Sequence, residues 1–549
     1  MTEATKTQSS DIASRVQPER DVVIVGAGVC GLYQLYRLRE LGFDVIALDR
    51  NHDVGGTWYR NRYPGCRFDS ESYTYGYSFS DELLQEWDWS ERFASQPETL
   101  RYVNHVADKF DLRKDIQFGV SVETATFDDS NDLWTLTLDD GSEITTRFLM
   151  TAIGHLSTPT MPRIEGIDDF GGTSFHTFHW PEDGIDLADK RVAVIGTGST
   201  GVQVISSIAG TVGELTVFQR HPNWCAPLGN GPLDSAEMAD IKTRYDEIFA
   251  RCHETPGGFV HGPLRRRTLE VPAEEREAFW EELYGQPGFG IWLGNYIDTM
   301  LDEKANAALS DFIAGKIRAR VENPATAADL IPTDHGFGTH RVPLETRYYE
   351  QYNRPNVRLV NATKTPIERI TAKGIRTSEE EFEFDVIVYA TGFDAVTGSF
   401  ARIDIRGIDG VRLSDKWVDG PLNTLGVQSA GFPNLITLIG PQGGSGATNF
   451  PRGIEEIVEW ATTFLVDARN RGYTRLQVTQ EAEKAWSEEV QKEAEKVLLS
   501  KTKSWLTGYN PNVERYSKPK IMFYSGGAVR YRRKLAEEAE AGYPSFIKQ

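Results

Sequence analysis

The sequence predicts an α/β fold of two Rossmann-like dinucleotide-binding domains with a helical insertion, and three observations carry that reading. Gly26-Ala-Gly-Val-Cys-Gly31 follows a short β-branched run and opens an apolar-periodic helix. Gly196-Thr-Gly-Ser-Thr-Gly201 does the same further on. Each is the arrangement that cradles a dinucleotide pyrophosphate, and two in one chain indicate two dinucleotides. The third observation is the stretch 224–334, helix-rich and charged with few sharp motifs, which reads as an insertion in the second domain.

The bulk properties exclude several function classes. A chain of 549 residues, 40% hydrophobic and 25% charged, has room for two or three domains around a large core. Its net charge of −21 argues against a nucleic-acid partner, which needs a basic face. Cys30, Cys66, Cys225 and Cys252 form no C-x-x-C pair, so neither a metal site nor a dithiol centre is expected. Residues 1–20 are polar, lack an apolar signal core and read as a disordered tail. The uncharged run Gly420–Pro451 is broken by Gly and Pro, so no membrane span is expected there. The protein is expected to be soluble and cytoplasmic, with its oligomeric state open.

Taken in order, Asp21–Val25 reads as a buried parallel strand. Gly26, Gly28 and Gly31 then give the tight turn, the close approach to phosphate and the close helix packing. The helix from about Cys30 to Leu41 stops at Gly42. A second strand, Phe43–Leu48, ends in Asp49, placed to bind a ribose 2′-hydroxyl and to repel a 2′-phosphate. The first site is therefore expected to take FAD or NAD rather than NADP. Tyr73, Tyr75, Tyr77 and Phe79 alternate, which suits a strand or an aromatic wall. Residues 122–148, with Leu133-Trp-Thr-Leu-Thr-Leu138 and Asp139-Asp-Gly141, read as a β-meander.

Arg191–Ile195 opens the second site, whose loop supplies Gly196, Thr197, Gly198, Ser199, Thr200 and Gly201. Its next strand, Leu215–Phe218, runs into Gln219-Arg220-His221, where the first unit has an acid. Arg220, with His221 beside it, suits a 2′-phosphate and so NADPH. Asp385–Gly392 is a buried strand ending in Ala-Thr-Gly, and a helix is expected over 453–468.

Phe170-x-Gly172-x-x-x-His176-x-x-x-Trp180-Pro181 lies between the two glycine loops. It resembles the fingerprint of the type I Baeyer-Villiger monooxygenases, flavoenzymes that insert an oxygen atom beside a ketone carbonyl. Gly56-x-Trp58-x4-Tyr63-Pro-Gly-x3-Asp69 resembles a second fingerprint of that family, in which the loop lies over the flavin and the Asp sits at the active centre. The resemblance spans essentially the whole chain after residue 20. It implies an FAD domain over 21–155 and 388–549, and an NADP domain over 156–223 and 335–387 that carries the 224–334 insertion. It implies FAD contacts from Gly56, Thr57, Trp58, Asp69 and Tyr75, and an active-site arginine at Arg341 in Gly336–Pro343. It also implies a nucleotide contact at His340, where the family commonly has lysine, and a mobile tryptophan at Trp505.

The implied reaction uses NADPH and O2, through a flavin C4a-peroxide, to turn a ketone into an ester or lactone, with Arg341 stabilising the anion and Asp69 orienting it. The small residues of Gln442–Thr448, including Gly443, Gly444 and Gly446, suit a pocket for cyclic or bulky ketones, or equally a nucleotide-contacting loop. The alternatives are a flavin N- or S-oxygenase, which would lack the Phe170–Pro181 fingerprint, and a two-dinucleotide flavin reductase, which would want a Cys pair near the flavin. A non-catalytic nucleotide sensor is a third.

Overall fold

The computed structural model describes residues 17–444, 448–513 and 520–549. Arg20–Val25 lies at the centre of an eight-stranded sheet, parallel to Val45–Asp49 on one side and to Glu143–Thr151 on the other. Val22, Val23 and Ile24 are fully buried, as an unbroken β-branched run requires of a strand covered on both faces. Arg20, assigned to the tail from sequence, is part of this strand and pairs with Thr146. Glu143–Thr151 forks. Its first residues pair antiparallel with Leu133–Leu138, and its last three pair parallel with Leu435–Thr437. With Val122–Asp128 this is the expected meander, turned at Gly141.

Two helices cover one face of this sheet. Val29–Glu40 packs on the 22-residue helix Phe450–Arg471, with Gln34 Nε2 donating to Thr462 Oγ1 (2.9 Å) and Arg37 forked onto Glu459 (2.6 and 2.9 Å). The long helix buries Ile454, Ile457, Val458, Ala461, Phe464, Leu465 and Ala468, spaced three to four apart. Each large side chain so buried contributes about 1.5–3 kcal/mol by leaving water. The helix outruns the expected 453–468 at both ends. Pro451 is compatible with a first turn, and only Gly472, left-handed at φ 72, closes the last one.

The second domain is a five-stranded parallel sheet in the order Val357–Asn361, Glu214–Gln219, Arg191–Ile195, Val386–Tyr389, Thr173–His176. The expected return to the first domain at 388 falls inside Val386–Tyr389. Every residue of that strand pairs with both neighbours, so the division comes after it. Ile367–Thr371, Gly374–Thr377 and Glu381–Glu383 form an antiparallel sheet that sequence reading missed. Its Ile370, Ile375 and Phe382 pack with Ala193, Phe218 and Ile387 of the parallel sheet.

The insertion carries helices Ser235–Thr243, Tyr245–Glu254, Ala273–Gly285, Glu303–Arg320 and Pro324–Leu330. Asp234, Asp302 and Asn323 cap the first, fourth and fifth of these by accepting backbone N–H bonds. The charged helix Ala273–Gly285 buries only Trp280 and Leu283, so its acidic residues form a solvated face.

Tyr73 to Phe79 is not a strand. Ser72–Tyr75 is a helical turn, and the aromatics form a wall in which Tyr33 stacks on Phe79 (4.8 Å) and Phe68 on Tyr75 (4.1 Å). Among the described residues no helix is long and apolar enough to cross a membrane, and no group of three or more His, Cys, Asp or Glu could hold a metal ion.

Candidate active site

The first glycine loop is pressed flush against the strand end beside it. Gly26 has φ +109, and a Cβ there would lie 2.5 Å from Ala152 O; a Cβ at Gly31 would lie 1.8 Å from Gly26 O. Gly28 caps helix Val29–Glu40 with no side-chain hydrogen bond and no acid in the first turn, so the first N–H groups are left for an anion. A cavity of about 560 Å³ opens over this cradle, lined in part by Gly26, Gly28, Asp49, Gly56, Thr57, Trp58 and Tyr75. Its size and its unfilled glycine cradle suit a dinucleotide. Asp49 accepts from Ala27 N (2.7 Å) and Asn51 N (2.8 Å), which fixes the loop. Burial pushes its carboxyl up, and those two N–H groups oppose that. Trp58 Nε1 donates to the Tyr75 hydroxyl (3.1 Å). Gly31 lies beneath the loop, and neither it nor Asp69 lines this cavity.

The second loop repeats the cradle. Gly196 presses on Ala390 O, and a Cβ at Gly201 would lie 2.2 Å from Gly196 O. Gly198 caps helix Ser199–Ile208, again without a side-chain cap or an acid in the first turn, and has open space around it. Strand register relates the two units: Val25 pairs with Leu48 just before the first loop, and Ile195 with Phe218 just before the second. Asp49 therefore corresponds to Gln219, and Arg50 to Arg220. The difference in corner charge thus rests on Asp49 against Gln219, whose buried amide donates to Asp329 O (2.6 Å). Arg50 is used on Ser157 O (2.8 Å), whereas Arg220 is exposed and has no hydrogen-bond or ion-pair partner among the described residues.

The other expected residues of this site divide by location. Thr197 is buried and donates to His221 O (3.2 Å), which builds the corner, while Thr200 lies near the Tyr63 hydroxyl at the domain joint. His221 lies 3.7 Å from Asp334. His340 stacks on His335 with ring centroids 3.7 Å apart, and burial pushes its pKa down to about 4.

Between the two loops the fingerprints turn out to be joints. Tyr63 donates to Gln203 Oε1 (2.9 Å), Gln203 Nε2 donates to Arg67 O (3.0 Å), and Gly65 packs flush on helix Ser199–Ile208. That joint delivers Asp69, whose Oδ1 accepts from Arg341 Nη2 at 2.6 Å. Burial raises the Asp69 carboxyl, and the guanidinium opposes the rise. Arg341 also lies over the rings of Phe289 (4.9 Å) and Trp292 (5.7 Å) from the insertion. His176 is buried, accepts from Phe178 N at Nδ1 (3.0 Å) and donates from Nε2 to Gly392 O (3.1 Å), which ties the linker to the returning strand.

A pyridine nucleotide-disulphide oxidoreductase family model matches residues 23–244. The chain is 46% identical over 537 residues to 2-oxo-Delta(3)-4,5,5-trimethylcyclopentenylacetyl-CoA monooxygenase of Pseudomonas putida, across 96% of this chain and 98% of that one. It is 40% identical over 550 residues to a Baeyer-Villiger monooxygenase of Pseudooceanicola batsensis, across 100% and 98%. The chain belongs to the Baeyer-Villiger monooxygenase family. The solved structure of OTEMO in complex with FAD and NADP matches this monooxygenase with a TM-score of 0.94 at 45% identity, over 97% of this chain and 100% of that one.

Trp505 of this monooxygenase begins a short 3-10 turn and packs edge-on to Phe523 (5.9 Å), in a cluster with Ala395 and Val396. Thr502 Oγ1 donates to Thr339 O (3.1 Å), which links that segment to the loop holding His340 and Arg341. In the loop Gln442–Thr448, residues 445–447, Gly446 among them, lie outside the described residues. The space beside Gly444 is filled by the Tyr531 ring rather than by a pocket. Sequence reasoning missed Gln203, Phe289 and Trp292. Each acts through a contact far along the chain, and none carries a local signal.

Proposed function

We propose that this monooxygenase holds FAD at Gly26–Gly31 and NADPH at Gly196–Gly201, and converts ketones to esters or lactones with Arg341 at the reacting centre. The overall balance is ketone + NADPH + H⁺ + O2 giving ester or lactone + NADP⁺ + H2O. A flavin held at Gly26–Gly31 would supply the redox chemistry, accepting a hydride from NADPH and activating O2. The observation that carries the residue assignment is the ion pair of Arg341 with Asp69 at the meeting of both domains and the insertion.

Attack on the ketone carbonyl places negative charge on its oxygen, and a fixed cation compensates that charge only if it does not give its proton away. A guanidinium stays charged at any working pH and presents its donors in a rigid fork, which lysine does not. Asp69 holds one arm of that fork and leaves the others free. Gly28 and the first-turn N–H groups take the pyrophosphate of FAD, while Trp58, Thr57 and Tyr75 close over the cavity and keep water out. At the second loop Gly198 and Ser199 face the NADPH pyrophosphate, and Arg220 and His221 the adenosine end. His340 and Trp505 complete that nucleotide site from the loops linked through Thr502. A panel of linear, cyclic and fused-ring ketones, read by mass spectrometry for the gain of one oxygen with matching NADPH loss, tests this. Oxygenation of amines or sulfides alone, or NADPH loss without any oxygenated product, would overturn it.

A further inference from the structure

Two surfaces hold the Arg341 guanidinium. One is Asp69, on the first domain; the other is the aromatic floor of Phe289 and Trp292, on the insertion. Phe289 is fully buried and edge-on to Phe259 (5.1 Å) and Trp292 (5.3 Å). The arginine is therefore only as well placed as these two surfaces are relative to one another.

A buried pair joins them. His261 Nε2 donates to Glu71 Oε1 at 2.7 Å, with the side chains 17% and 4% exposed. Glu71 follows Asp69 by two residues, and His261 follows Phe259 by two. Gly288, immediately before Phe289, lies against the pair with φ +80; a Cβ there would stand 2.6 Å from Glu71 Oε1 and 3.1 Å from His261 Nε2. Both surfaces thus lie within two residues of the same hydrogen bond between domain and insertion, which adds to the links from Arg92 N to Gly231 O (2.9 Å) and from Phe93 N to Asn230 Oδ1 (3.0 Å). The Glu71 carbonyl also accepts from Thr74 Oγ1 (2.8 Å), which in turn accepts from Asn449 Nδ2 (3.0 Å) at the head of helix Phe450–Arg471.

A buried carboxylate is a costly way to join two surfaces that apolar packing could join. Glu71 Oε2 moreover has no hydrogen-bond partner among the described residues, so the pair is not arranged for greatest stability. What it supplies is a directional contact of fixed length. We infer that Glu71 and His261 are positioning residues, a clasp that sets the separation between Asp69 and the Phe289 floor and so aims Arg341. The inference rests on the assignment of Arg341 to oxygen insertion.

The test compares two quantities in the FAD-loaded enzyme: the rate of flavin reduction by NADPH without oxygen, and the moles of oxygenated product per mole of NADPH in air. Misplacing a reacting group by an ångström costs up to about 100-fold, so Glu71→Ala and His261→Leu should lower the product ratio about 10- to 100-fold. The balance should appear as hydrogen peroxide, from NADPH + H⁺ + O2 giving NADP⁺ + H2O2, and flavin reduction should stay near the wild-type rate. Glu71→Gln and His261→Gln keep an acceptor or a donor in place and should restore most of the ratio. Glu483→Gln disturbs another buried pair, with Lys416 at 2.8 Å, and should lower Tm without changing the ratio. If Glu71→Ala does not fold, the two His261 variants carry the comparison. An unchanged product ratio, a parallel fall in flavin reduction, or a Gln variant as damaged as Ala or Leu would overturn the clasp. Arg341→Ala measured alongside keeps the two ideas separate: full coupling in that variant would sink the role of Arg341 itself.

Discussion

Asp69 and Arg341 stand 272 residues apart in the chain and meet at 2.6 Å, one from the first domain and one from the loop that follows the insertion. The pair can therefore form only when the first domain, the second domain and the insertion are assembled around it. It places a guanidinium at the junction of the first domain, the loop after the insertion and the insertion's aromatic rings.

Arg341→Ala should leave flavin reduction by NADPH within a few-fold of wild type and remove oxygen insertion. Loss of a charge-stabilising donor costs about 3 kcal/mol, at least 100-fold in rate. Arg341→Lys should recover only part of this, because an ammonium lacks the fork that Asp69 holds. Rapid-mixing absorbance for reduction, and product yield per NADPH for insertion, separate the two steps. Product formation at the wild-type rate in Arg341→Ala would remove it from the mechanism.

Arg220→Ala should raise KM for NADPH about tenfold and leave that for NADH nearly unchanged, as loss of one charge-assisted contact costs about 1.5 kcal/mol or more. Gln219→Glu should act in the same direction, by restoring at the corresponding corner the charge that Asp49 carries in the first unit. Steady-state kinetics with both nucleotides check this. Parallel changes in the two KM values would show that neither residue sees the 2′-phosphate.

Much of this organisation was legible in the sequence. The two glycine loops, their β-branched strands and the meander depend on local periodicity, and each falls where the residues put it. The resemblance named Asp69 and Arg341 as active-centre residues. It also made Asp69 the partner that orients the arginine, although the geometry of that contact needs three-dimensional register. The correspondence of Asp49 to Gln219 does not, since each lies 23 residues after the first glycine of its loop. At Tyr73–Phe79 the aromatic wall is present and the strand is not, because a helical turn followed by extended chain can also present rings alternately to different neighbours. Glu71 and His261 looked ordinary for the same reason: a buried carboxylate has no sequence signature until its partner is known.

Stability should fall as pH drops from about 6.5 toward 4. Burial pushes His155 and His176 down to about 4, so the unfolded chain binds protons in that window that the native state refuses. Each such group removes up to about 1.4 kcal/mol per pH unit. His176 should matter twice, since protonating Nδ1 also removes the acceptor for Phe178 N. Asp49 and Asp69, raised by burial, work in the opposite sense at the acid end, because the native state protonates them first. Tm measured at pH 7 and pH 5 should drop clearly for wild type and less for His176→Gln. A Tm independent of pH over that range would show that these imidazoles titrate normally.

The two cradles should be separable by adding one carbon to each. A Cβ at Gly31 would lie 1.8 Å from Gly26 O, and one at Gly201 would lie 2.2 Å from Gly196 O, so alanine at either must push a loop off its helix. Overfilling of this kind costs about 1–3 kcal/mol even when the backbone yields, and here the opposing atom is itself backbone. If the first loop holds FAD, Gly31→Ala should purify with little bound flavin and a raised Kd for added FAD. If the second holds NADPH, Gly201→Ala should remain yellow, with flavin content near wild type, but show a KM for NADPH raised about tenfold or more. Flavin absorbance per protein and nucleotide kinetics read the two effects independently. Equal flavin loss in both variants would mean that the second loop supports the first domain instead of binding its own nucleotide.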